Sequence, residues 1–97
     1  MSGRDELAQR LEMLLVLQWL DEGAVADGTI AFSPATAASE LDLEPGRTGL
    51  LALMRALSDL EERGLVEVRW PPGGWGRAAR VTLGRGLRDD ARRQFGR

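Results

Sequence analysis

Apolar residues between positions 45 and 63 recur at three- and four-residue intervals, as Leu50, Leu53, Leu57 and Leu60. That is the period of a helix with one buried stripe, and Gly64 follows where a left-handed C-terminal cap is wanted. The spacing predicts a helix over 45–63 whose stripe faces a core. On the opposite face, at about 100° per residue, lie Thr48, Leu51, Ala52, Arg55, Asp59 and Glu62. What the chain does depends on what that face touches.

A helix is also predicted at the start, capped by Ser2, with Asp5 and Glu6 in its first turn, and running to about Glu22 before Gly23. Leu7, Leu11, Leu14 and Leu15 make one apolar face, and Met13, Val16, Leu17 and Leu20 make a second. Between Met13 and Leu17 the helix is therefore apolar nearly all round. A small domain rarely buries a whole helix circumference, so the second face is expected at a homodimer interface. The alternative is cover by the chain's own helices and C-terminal tail.

The intervening elements follow from shorter signals. Thr29-Ile30-Ala31-Phe32, after the Asp27-Gly28 turn, suits a small strand. Ser33 then caps a helix with Pro34 at its first position; Ala35, Ala37 and Ala38 give that helix a surface another helix can approach closely. Leu43 to Gly46 is the turn before the central helix, so residues 33–63 form a helix-turn-helix. Beyond Gly64, Val66, Val68 and Trp70 alternate with Glu67 and Arg69, and residues 79–83 alternate again. Residues 65–83 therefore form a hairpin with a Gly- and Pro-rich loop, and a final helix covers about 87–95. The order is α-β-α-α-β-β-α, an α+β chain that is mostly α.

At 97 residues one domain is expected, with a high surface-to-volume ratio that burial in a dimer would relieve. Every cationic side chain is arginine, and the net charge of −2 is unevenly spread. Residues 1–44 carry two arginines against nine acids, a net of −7, whereas residues 45–97 carry eleven against six, a net of +5. An anionic partner would bind the second half, although a pI of about 5.1 argues against indiscriminate nucleic-acid binding. The polar, acidic first residues and the short apolar run at 13–17 fit neither a membrane span nor a signal peptide, which points to the cytoplasm.

With no Cys, His or Lys, the chain lacks the usual nucleophiles and bases, and the pairs Asp21-Glu22, Glu61-Glu62 and Asp89-Asp90 sit where solvated helix charges are expected. Gly73-Gly74-Trp75-Gly76 has no Lys-Ser/Thr after it and is not a phosphate loop. No enzyme, cofactor or metal site is expected.

Three stretches resemble a known family. Ala37-Ala38-Ser39-Glu40-Leu41 looks like the first motif helix of a winged helix-turn-helix domain, and Leu57 to Val66 resembles the end of its recognition helix. Arg80-Val81-Thr82-Leu83-Gly84-Arg85-Gly86 resembles the strand and turn leaving its wing. The style is that of small bacterial regulators of the MarR and PadR kind, whose first and last helices commonly make a dimer. The resemblance implies a three-helix core with a β-hairpin wing, and a central helix entering the major groove of double-stranded DNA. Arg47, Thr48 and Arg55 would then read bases, with Leu51 and Ala52 against thymine methyls. Ser33 and Thr36 would meet phosphate, and Arg69, Arg77 and Arg80 would flank the backbone or minor groove. Winged helices also serve as protein-interaction modules, for which Leu51, Ala52 and Trp75 would be the contacts. The blander alternatives are that Arg47 and Arg55 are solvated helix charges, Arg55 paired with Asp59, and that Trp75 packs back under its loop.

Overall fold

Helix α3, Arg47–Glu62, buries Leu53, Ala56, Leu57 and Leu60. Full burial of a leucine stabilises by roughly 1.5–3 kcal/mol, so the stripe alone commits this segment to the core. Its end is a glycine-dependent cap: Gly64 has φ +76°, its N–H reaches the Glu61 carbonyl at 3.0 Å, and the Leu65 N–H reaches that of Leu60 at 3.0 Å. This paired geometry needs a left-handed residue after the helix. The start falls two residues later than the leucine spacing predicts, because Pro45 and Gly46 belong to the turn and Gly46 is the N-cap.

The computed structural model describes residues 3–73 and 78–95, so Ser2, Trp75, Arg77 and the side chain of Asp5 lie outside the described residues. Around α3 stand α1 (Gly3–Asp21), β1 (Thr29–Phe32), α2 (Pro34–Glu40), β2 (Val66–Arg69), β3 (Ala79–Leu83) and α4 (Arg85–Phe95). The element order is the expected one, and the chain is a small α+β domain, mostly helical. A Cα radius of gyration of 12.9 Å is that of a packed domain of this length, about 13 Å.

Helix α1 lies against α3, and its Leu11, Leu15 and Trp19 are fully buried in the same core cluster as Leu53, Leu57 and Leu60. Burying the indole leaves its N–H to be satisfied, and it donates to the Val25 carbonyl at 2.9 Å, which ties the loop after α1 to the core. Val16, assigned by its spacing to a subunit interface, is 5% exposed and belongs to the same cluster as Leu87 and Ala91 of α4. The chain covers that side of α1 itself, so Val16 has almost nothing left to bury against a partner. Leu20 is half-buried on the core, while Met13 and Leu17 remain 40% and 47% exposed.

Ser33 caps α2 as expected, its hydroxyl accepting from the Thr36 N–H at 3.4 Å with Pro34 in the first turn. The helix ends at Glu40 with Leu41 as its C-cap, and the chain turns away at Asp42, a non-glycine residue with φ +57°, whose N–H reaches the Ser39 carbonyl while that of Leu43 reaches the Ala38 carbonyl. An aspartate tolerates this region better than most side chains. The turn then passes so close to α3 that a Cβ on Gly49 would stand 1.9 Å from the Glu44 carbonyl oxygen.

The hairpin strands do not stand alone. β3 is central in an antiparallel sheet of order β1-β3-β2, with Ile30 opposite Val81 and Val68 opposite Val81 on its other side. Ile30, Phe32, Val66, Ala79, Val81 and Leu83 point to the core. Helix α4 begins at Arg85, two residues earlier than expected, because the Gly84 carbonyl accepts its first helical hydrogen bond from Arg88 N–H.

Gly49→Ala is expected to destabilise the fold by about 1–3 kcal/mol, since backbone must shift to admit the methyl. Gly86→Ala, with open space at its Cβ position, gains roughly 0.5–1 kcal/mol of helix propensity instead. Urea unfolding of both variants followed by Trp fluorescence checks the pair, and equal midpoints would contradict the close approach.

Candidate functional site

With Leu53, Leu57 and Leu60 inward, α3 turns Arg47, Thr48, Leu51 and Arg55 to solvent and leaves Ala52 half-buried. Arg47, Leu51 and Arg55 follow each other at four-residue spacing, so the two guanidinium stems rise about 12 Å apart along the axis with an apolar side chain between them. Leu51 is 45% exposed. Asp59 does not pair with Arg55. It pairs with Arg63 at 2.9 Å, one turn further on, where the cation also sits favourably at the helix C-terminus. Neither Arg47 nor Arg55 has an ion pair among the described residues.

The sheet presents a second cluster. Arg69 of β2 and Arg80 of β3 are directly opposed in the ladder and both are exposed. Like charges in that position oppose pairing. Glu67 takes part of the charge of Arg69, with Nη2 to Oε1 at 3.2 Å, but Arg80 has no acid among the described residues. The row beside them is Glu67, Thr82 and Thr29, where the two threonine hydroxyls share a hydrogen bond of 2.9 Å. Two opposed guanidinium groups leave this surface suited to an anion.

Ser33 and Thr36 lie in a different place. They line a groove of about 590 Å³ between α1, β1 and α2, whose other polar residues are Gln18, Asp21 and Glu40. Among the described residues no basic side chain lines it, so a phosphate there would meet two carboxylates. The structure thus groups Arg47, Thr48, Leu51, Ala52 and Arg55 on one helix face and Arg69 with Arg80 on the sheet, and it separates Ser33 and Thr36 into an acidic setting.

Several arginines of the basic half do structural work. Arg88 donates to the Ala26 carbonyl and lies against Gly28, Arg92 stands 5.5 Å from the Trp19 ring centroid, and Arg93 pairs with Asp90. In the acidic half Arg10 donates to the Leu41 carbonyl at 2.7 Å and so secures the end of α2. No local sequence signal marks these tertiary roles. Charge counting therefore overstates the free positive surface, which among the described residues narrows to Arg47, Arg55, Arg80 and Arg85 with a share of Arg69.

Among the described residues, no group of three or more carboxylates is placed to hold a metal ion and no helix is long and apolar enough to cross a membrane. Compared with known proteins, the chain matches no family model, no curated protein and no solved structure.

Arg80→Glu replaces the opposed like charges by an opposite pair, and it is expected to raise the thermal midpoint at low salt. The gain should vanish near 1 M salt, where the screening length falls to about 3 Å. Differential scanning calorimetry at both ionic strengths measures it; a salt-independent change would mean that charge opposition is not its cause.

Proposed function

We propose that this chain is a winged helix-turn-helix domain that binds double-stranded DNA as a homodimer and regulates transcription. Helix α3 is the recognition helix, with its first two turns in the major groove. The single observation that carries the reading is the outer face of α3, where Arg47 and Arg55 are exposed on either side of Leu51, with no acidic partner among the described residues. A planar guanidinium left free on such a face matches the paired acceptors of a guanine edge, and Leu51 with Ala52 matches a thymine methyl. The α2-turn-α3 order and the antiparallel pairing of β2 with β3 match the element order and hairpin expected from the sequence, and support the reading. Arg69 and Arg80 are assigned to the DNA backbone. Ser33 and Thr36 have a smaller part, because the groove they line is acidic.

A protein-interaction module is the second reading, favoured by the exposure of Leu51. Selection of duplexes from a random library, followed by titration at two salt concentrations, separates the two. On a selected duplex Arg55→Ala should lose about 10- to 100-fold in affinity and relax the preference at one base pair, the effect of losing a bidentate contact. Arg80→Ala should weaken all sequences alike and lower the salt slope by about 1. Absence of binding to every duplex at low salt would refute the DNA reading; a protein complex lost on Leu51→Asp and unaffected by DNA would establish the other.

A further inference from the structure

The groove between α1, β1 and α2 has two walls built on one spacing. Along α1 it is lined by Leu14, Leu17, Gln18 and Asp21. Along α2 and its cap the lining residues are Ser33, Thr36, Ala37 and Glu40. Each set steps by three, four and seven residues from its first member, so each is one face of a helix about 10 Å long. Two hydrogen bonds set the walls in opposite directions. Gln18 donates to the Ala31 carbonyl, which holds the start of α2 beside the last turn of α1. Arg10 donates to the Leu41 carbonyl, which holds the end of α2 beside the middle of α1. Asp21 and Glu40 therefore stand at opposite ends of the groove, with Leu17, Phe32 and Ala37 between them. Both carboxylates are exposed, and neither has an ion pair among the described residues.

We propose that this groove binds a linear aliphatic diamine, with one ammonium at Asp21, the other at Glu40 and the carbon chain on Leu17, Phe32 and Ala37. Its volume of about 590 Å³ lies within the range of small-molecule sites, roughly 300–1,000 Å³. At the Asp21 end the hydroxyl of Ser33 offers the ammonium a further acceptor, and the carboxylate supplies the opposite charge. The site uses none of the residues on the outer face of α3, so it stands or falls apart from the DNA reading.

An apolar floor with charge only at its two ends discriminates by where a ligand carries its charge, not only by how much it carries. A cation in the middle of the ligand would lie over Leu17 and Phe32 and lose water with no carboxylate to replace it. The groove should therefore prefer an uninterrupted alkyl spacer to a polyamine of the same length. Gln18 holds this arrangement in place, because its amide nitrogen donates to Glu22 as well as to Ala31 and so ties the floor strand to α1 while leaving Asp21 open. Exposed ion pairs contribute little singly, so the two ends fix the ligand's direction and span while the alkyl chain adds the apolar contact.

The test is an amide NMR titration of the full chain, without DNA and at fixed ionic strength, with octamethylenediamine as the probe. Spermidine is the comparison, since it has the same number of atoms between its end nitrogens and a third charge among them. The diamine should shift the amides of the groove and bind about threefold or more tightly than spermidine, whereas attraction to net negative charge alone ranks the two the other way. Octylamine, with one ammonium, should bind about two- to fivefold more weakly, and putrescine, too short to span the groove, about tenfold or more. Asp21→Asn and Glu40→Gln should each weaken the diamine about two- to fivefold, while Glu12→Gln, on α1 but outside the groove, should leave it unchanged. Leu17→Asn should weaken the diamine and leave spermidine as it was, with circular dichroism confirming that every variant is folded. No binding of the diamine, spermidine bound as tightly, or shifts scattered over acids outside the groove would each overturn the proposal. A folded Asp21→Asn or Glu40→Gln protein that binds the diamine as well as the unmodified chain would overturn the two-ended assignment. Failure to bind DNA leaves all of these outcomes untouched.

Discussion

Leu53, Leu57 and Leu60 of α3 lie in the same cluster as Leu11, Leu15 and Trp19 of α1, and the position of nearly every other element follows from that contact. Once the stripe of α3 is turned inward, its helical period fixes which residues face solvent, and Arg47, Leu51 and Arg55 have no choice of side. Trp19 extends the same contact outward by drawing the Val25 carbonyl to its N–H. The chain between α1 and β1 is then held where Arg88 can reach Ala26 from α4. One apolar contact thus organises two helices, a loop and the helix at the far end of the sequence. The large-to-small substitutions that would break it are of the kind that cost about 2–5 kcal/mol, a substantial part of the stability of a small domain.

The sheet obeys a second constraint. β3 pairs on both sides, so its outward residues sit between those of β1 and β2, and Arg80 stands between Ala31 and Arg69. A register shifted by one residue would carry Arg80 inward and Val81 outward, which the buried face forbids. The hydrophobic pattern therefore enforces the opposition of Arg69 and Arg80 in spite of its electrostatic cost. An unfavourable pair that the fold keeps on an exposed surface is more informative about anion binding than a count of arginines.

Features governed by neighbours along the chain are legible in the amino-acid sequence itself. The period of Leu50 to Leu60, the stop at Gly64, the Ser33-Pro34 helix start and the alternation of β2 and β3 are local, and the structure reproduces them. Features settled by distant partners are not. The cover of Val16, the pairing of β1 with β3 and the close approach at Gly49 depend on how helices and strands meet in space. At the candidate site, the exposure of Arg47, Leu51 and Arg55 can be read from the helical period, whereas the opposition of Arg69 and Arg80 requires the register across a long loop. Ser33 and Thr36 have the right residue types for phosphate, but only the packing of α2 beside α1 reveals that Asp21 and Glu40 share their groove.

The acidic end of α3 is the main objection to a DNA-facing helix, and its weight can be gauged from geometry. Asp59 is engaged by Arg63, so the pair is close to neutral when seen from a phosphate. Glu62 remains exposed seven residues beyond Arg55, about 10 Å along the axis. That is about one Debye length at 0.1 M salt, so its repulsion at the Arg55 end is already weakened by screening. Arg47 and Thr48 lie further away still, at the N-terminus, where the helix dipole also favours an anion. The field along the outer face of α3 therefore runs from attractive to repulsive over four turns. A helix with that gradient would enter a groove by its first two turns and leave its last two clear of the backbone.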